Sequence, residues 1–141
     1  MAIIQCLTTS FLEDLFQGTM NFAADTFNIA LYTSSATLDA STTAYTATGE
    51  ASGVNYVAGG IALTGGTITA SGNAAWIDFN DATFTNVTIT FRGAMIYDTT
   101  TANASVCIID GGIDRTATAQ NVNVAFPAPG ATTALITIGS V

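Results

Sequence analysis

Short runs in which every second residue is apolar, separated by glycine-rich breaks, leave this chain few options other than β-structure. Phe27, Ile29 and Leu31 alternate with Asn28, Ala30 and Tyr32, and Ala75, Ile77 and Phe79 alternate with Trp76, Asp78 and Asn80. Val122, Val124 and Phe126 form a later run, and Ala134, Ile136 and Ile138 close the series. A period of two sends alternate side chains to opposite faces of a strand. Ser52-Gly53, Gly59-Gly60, Gly65-Gly66 and Ser71-Gly72 bracket shorter candidate strands over 54–57, 61–64 and 67–70. Val87, Ile89 and Phe91 make a further run out of phase with Phe84, so a bulge or turn is predicted at Asn86. Met95 and Tyr97 follow Gly93, and a polar loop spans 99–104. Val106, Ile108 and Asp110 then lead into Gly111-Gly112, which reads as a tight turn. The long Ser/Thr-rich stretch over 33–46 reads as a connection that turns at Asp39.

One segment breaks the pattern. Ser10-Phe11-Leu12-Glu13 has capping-box spacing, Asp14 suits the positive end of a helix, and Gly18 is a natural stop. Phe11, Leu12, Leu15 and Phe16 would form an apolar stripe on a helix over about 10–17. So short a helix persists only when docked. The stripe has two uses: covering an open end of the β-structure, or filling a groove on a neighbouring subunit. The expectation is therefore an all-β chain: one antiparallel β-sandwich domain over 1–141, jelly-roll-like, with this helix and strands from about 26 to 139.

Composition excludes several kinds of function. Among 141 residues the only basic side chains are Arg92 and Arg115, there is no histidine, and the net charge is −8. Two arginines cannot neutralise a phosphate backbone, so neither nucleic acid nor an anionic membrane surface is an expected partner. No stretch approaches the apolar length of a membrane span, and residues 1–6 lack the basic start of a secretory signal, so synthesis in a cytoplasm is expected. There Cys6 and Cys107 would stay reduced, with Cys107 a small buried strand residue; a disulfide between them is the alternative. Arg92, almost without competing cations, is expected to meet a carboxylate either within the chain or across a subunit interface.

Catalysis has little to work with. Without histidine or lysine, a titratable base near neutrality is missing, as are a Ser-His-Asp set and a Cys/His zinc set. Carboxylates remain. Asp78 and Asp81 lie beside Trp76 and Phe79, the residue types of a sugar site, although a solvent-facing strand ending in a turn explains them as well. Asp110-Gly111-Gly112-Ile113-Asp114 resembles a fragment of a calcium loop but lacks the remaining acidic positions, so a turn with solvated acids is expected. No cofactor, metal or catalytic residue is expected, and the chain reads as no enzyme.

A resemblance adds a functional expectation. The run from Phe11-Leu12-Glu13-Asp14-Leu15 through Gly18 and Phe22 to Asp25-Thr26-Phe27-Asn28-Ile29-Ala30-Leu31-Tyr32-Thr33-Ser34-Ser35-Ala36-Thr37-Leu38 carries its first part. Thr43-Ala44-Tyr45-Thr46, Gly49-Glu50, Gly53-Val54-Asn55-Tyr56-Val57-Ala58-Gly59-Gly60, Thr90-Phe91-Arg92-Gly93-Ala94-Met95-Ile96-Tyr97-Asp98 and Phe126-Pro127 carry the rest. Together they resemble a family of small structural proteins of tailed bacteriophage virions, with Asn28 where that pattern would have a lysine. The resemblance implies a virion protein on the capsid surface, of the decoration or cement type. Its partners would be the phage major capsid protein and itself, as a homodimer or homotrimer. Phe11, Leu12, Leu15, Phe16 and Arg92 are the candidate subunit or capsid contacts. A neck, tail or head-fibre component is the alternative. So is a host-surface carbohydrate-binding module, in which exposed Trp76, Tyr45 and Tyr56 would stack on sugars.

Overall fold

A computed structural model describes residues 2–139 as an all-β, sandwich-like fold with one short helix. In chain order the elements are β1 (Cys6–Leu7), α1 (Thr9–Gln17), β2 (Phe27–Tyr32), β3 (Ile61–Ala62), β4 (Thr67–Ser71), β5 (Ala74–Asp78), β6 (Ala82–Asp98), β7 (Ala104–Val124) and β8 (Ile136–Gly139). Two antiparallel sheets result, one ordered β1-β7-β6-β2-β3 and the other β4-β5-β8. The jelly-roll-like expectation holds at the level of two antiparallel sheets; the strands divide five and three.

The larger sheet is buried on both faces where β2 and β6 pair. Phe27, Ile29 and Leu31 of β2, with Ala94 and Ile96 of β6, face a core shared with Ile77 of β5 and Ile136 of β8. Ala30, Tyr32, Met95 and Tyr97 face the other way, under a cover of Ile3, Ala36, Leu38 and Tyr45 from the N-terminal segment and the Ser/Thr-rich connection. That connection is pinned to the N-terminal segment by a parallel bridge between Ile3 and Leu38. Its turn forms at Asp39, whose Oδ1 accepts from the amide of Ser41 at 2.8 Å. Four of the phenylalanines in the first core cluster around Phe22, which stacks on Phe27 at 4.5 Å between centroids, meets Phe11 edge-on at 5.8 Å and lies 6.3 Å from Phe79. Truncating a ring of this kind costs about 3–5 kcal/mol.

Several predicted elements take a different form. Gly111-Gly112 is not a hairpin turn, because β6, continuous through Gly93, and β7 form one hairpin closed at 99–103. Gly93 is required there: a Cβ would collide with the Ile109 carbonyl and Ile3. The irregularity at Gly111-Gly112 is a large bulge, since Phe91 pairs with Arg115 but Gly93 already pairs with Asp110. Asn86 does mark a bulge, with φ of 50° and a shift of register between Phe84 and Val87. Over 54–57 only Val54 bridges, to Thr88.

The capping box does not form. The helix starts one residue earlier, after Thr8, whose hydroxyl donates instead to the carbonyl of Ser105 at 3.1 Å. Ser10 is turned toward Thr42 and Ser105. The C-terminus is as expected: Gly18 takes φ of 71°, its amide bonds to the Leu15 carbonyl, and the Thr19 amide bonds to that of Asp14. This is a Schellman closure.

Candidate functional site

Docking splits the helix stripe. Phe11 is fully buried among the phenylalanines and Leu15 packs beside it, so half of the stripe covers the first core. Leu12 and Phe16 lie one turn apart on the outward side, and Phe16 is 91% exposed. The helix is held rigidly enough to present them. Thr8 donates its amide to Val106, Thr9 donates its amide to Ala40, and the Ser105 hydroxyl bonds to Thr42 and Thr8 underneath.

Arg92 is not part of that surface. Its Nε and Nη2 donate to the two carboxylate oxygens of Asp110 at 3.1 and 3.4 Å, an intramolecular fork. The helix sits at Ser105–Val106, so Arg92 meets β7 five residues further along, about 17 Å away at strand spacing. The Gly112 amide and then Arg92 hold the Asp110 carboxyl below its usual range. Asp114, at the far end of the bulge, accepts from the Ser34 hydroxyl at 3.1 Å. The two acids of the calcium-like fragment therefore point to different partners. Ile113 stands exposed between them.

The tyrosines expected to stack on sugars are occupied. Glu50 accepts from the hydroxyls of Tyr45 and Tyr56 at 2.6 and 2.8 Å and from the amide of Gly59 at 2.7 Å. Tyr45 stacks on Tyr97, whose hydroxyl donates to the Gly59 carbonyl at 2.7 Å. Asn28 reaches the same carbonyl. Tyr32 completes the group by donating to Thr46. Burial, followed by the bond to Glu50, pushes the Tyr45 phenol up to about 12, and Tyr32, Tyr56 and Tyr97 also rise, burial first. All four tyrosines of the chain thus anchor the loops over 43–60 to the sheet. No local signal announces this, because Glu50 is an ordinary loop acid until those loops fold over it.

Trp76 remains the one aromatic candidate on an outer face, half-buried between Thr69 and Thr137 on neighbouring strands. Asp78, expected to face solvent beside it, is only 5% exposed. The segment 126–129 lies across that end of the small sheet, held by the Phe126 amide donating to Asp81 at 2.9 Å. Asp98 is buried at the β6–β7 turn, where Oδ1 accepts the amides of Thr100 and Thr101. Its Oδ2 meets no donor; burial, then the Asp25 carboxyl, raises the Asp98 pKa.

Cys107 is buried, and its thiol is pushed up to about 12 by that burial. Cys6 lies on the adjacent strand β1, and both thiols are free. Among the described residues no three His, Cys, Asp or Glu side chains converge as metal ligands, and no helix is long and apolar enough to cross a membrane. No protein-family model, curated protein or solved structure matches this chain.

Proposed function

We propose that the chain is a structural protein of a bacteriophage virion, of the capsid decoration or cement type, and performs no catalysis. The observation that carries this reading is the exposed Leu12/Phe16 pair on a firmly docked helix. A ring left 91% in water at a fixed position costs apolar hydration unless another surface covers it. Rigid presentation suits an interface repeated many times over a symmetric shell, where modest contacts add through multivalency. The resemblance of most of the chain to small tailed-phage structural proteins points the same way, with the major capsid protein and further copies of the chain as partners. An acidic, hydroxyl-rich exterior suits a particle that displays many copies.

The test is co-sedimentation with expanded capsids of the same phage that lack this protein. Wild-type protein is expected to saturate the shells at a fixed ratio per capsid subunit, and the double variant Leu12→Ser/Phe16→Ser to stay in the supernatant. Failure of the wild type to bind removes the decoration reading. A few copies per virion by quantitative gel would move the assignment to a neck, tail or head-fibre position. The carbohydrate-binding alternative now rests on Trp76, since Tyr45 and Tyr56 are committed to Glu50.

A further inference from the structure

We infer that the end of the small sheet holds a divalent metal cation of the calcium type, bound through oxygen at Asp78, Asn80 and Asp81. The carrying observation is Asp78 itself: it is 5% exposed, and its Oδ1 has no hydrogen-bond donor within reach. A carboxylate removed from water and left unpaired is among the costliest features a fold can contain. The usual remedy is a cationic side chain. This chain has two arginines, Arg92 committed to Asp110 and Arg115 placed opposite Phe91 on the β6–β7 hairpin. No ion pair reaches Asp78 among the described residues.

The surroundings supply what a hard cation needs. Asp78 lines a groove of about 410 Å³ with Asn80, Asp81 and the segment from Phe126 to Pro129, and a smaller adjoining recess with Gly65, Thr67 and Asn80. Asn80 is locked in place: its backbone amide donates to the Thr64 carbonyl at 2.9 Å and its Nδ2 to the Thr64 hydroxyl at 3.3 Å. With the nitrogen used, Oδ1 is left as an acceptor. Gly65, at φ of 67°, has no room for a Cβ against that amide, so the recess depends on its being glycine. Asp81 gives one oxygen to the Phe126 amide, which leaves the other for a ligand. Across the groove Pro127 and Pro129 carry carbonyls and no N–H, so that wall offers few competing donors. Oxygen donors alone, with neither sulfur nor imidazole, select calcium-like ions over zinc or copper. Two carboxylates rather than three or four place the affinity at the weak end of calcium sites, with Kd about 0.1–1 mM.

Trp76, the only tryptophan, is two residues from Asp78 on the same strand and provides an internal reporter. Terbium titrated into the purified protein is expected to give luminescence sensitised at tryptophan excitation and displaced by millimolar calcium. Asp78→Asn is expected to lose that signal about tenfold or more. Asp110→Asn/Asp114→Asn, which removes the other acidic loop, is expected to keep it. Calcium is expected to raise the wild-type Tm and leave that of Asp78→Asn unmoved. Asp78→Asn also removes the unpaired charge, so without metal it is expected to melt no lower than wild type, which separates loss of binding from loss of fold. If wild type gives no more luminescence than Asp78→Asn and its Tm ignores calcium, the cation site is overturned. If the signal is lost in Asp110→Asn/Asp114→Asn instead, terbium reports the bulge and the inference fails equally.

Discussion

Asp98 and Glu50 show two ways in which this chain manages a carboxyl group away from water. Glu50 is met by three donors, two of them phenols. Glu50→Ala strands those donors and is expected to cost about 2–3 kcal/mol in urea unfolding, with faster hydrogen exchange at Gly59. Asp98 has amides at one oxygen and no partner at the other, with a pKa raised above the usual 3.8, burial first and the Asp25 carboxyl adding to it. A native state that holds this proton more tightly than the unfolded chain gains stability as pH falls from the raised value toward 3.8, and loses it again on the way up. Asp39 and Asp110 act oppositely: their lowered values mean that their contributions are present at neutral pH and fade below 3.8. Wild-type stability is therefore expected to rise on acidification toward pH 4 and to fall below it. Asp98→Asn should flatten the first limb and leave the second intact, read from urea midpoints across the pH range. An unchanged first limb would assign it to relief of general charge repulsion instead.

Among the elements, the long β6–β7 hairpin depends on local exceptions to strand geometry. Asn86 at φ of 50° donates its amide to Asn121 Oδ1 and gives its carbonyl to Asn55 Nδ2, both at short range. Asn86→Val is expected to lower stability by about 1–2 kcal/mol, because a β-branched residue resists the left-handed conformation. Asn86→Gly relieves that backbone constraint and should be the milder change by the same denaturation assay. The bulge at Asn86 was readable because the apolar phase slips visibly between Phe84 and Val87. The bulge at Gly111-Gly112 was not, since a glycine pair after a strand looks the same whether the chain reverses or continues. Ser10 misled for a related reason: its spacing to Glu13 fits a cap, but Thr42 and Ser105, distant in sequence, claim its hydroxyl. Alternation identified β2 and β5 correctly. It could not show that Asp78 is buried at the end of the small sheet, because the residues that share its groove arrive from 126–129. Of the candidate contacts, the helix stripe was legible as a stripe, and only docking could divide it into Phe11 and Leu15 inside, Leu12 and Phe16 outside.

At the scale of the whole molecule, the two sheets and the helix leave exposed apolar side chains in separate places, including Phe16, Val57, Ile68, Ile113 and Ile138. Phe16 is joined one turn away on the same helix by a second exposed apolar side chain, Leu12. Leu12→Ser/Phe16→Ser is expected to keep the wild-type melting temperature, since neither side chain belongs to the core, while abolishing shell binding in co-sedimentation. A drop in Tm of several degrees would mean that the pair supports the fold instead. The placement of the helix has one more effect, on how the protein comes off the ribosome. Thr8 rests on Ser105, 97 positions later in the chain. At translation speeds of about 5–20 residues per second, Phe11 and Leu15 wait about 5–20 s for their seat to emerge. During that interval the nascent helix segment is an unsheltered greasy tag, open to chaperones or to neighbouring nascent chains, so slowing synthesis between the two segments should raise the aggregated fraction without altering the finished molecule.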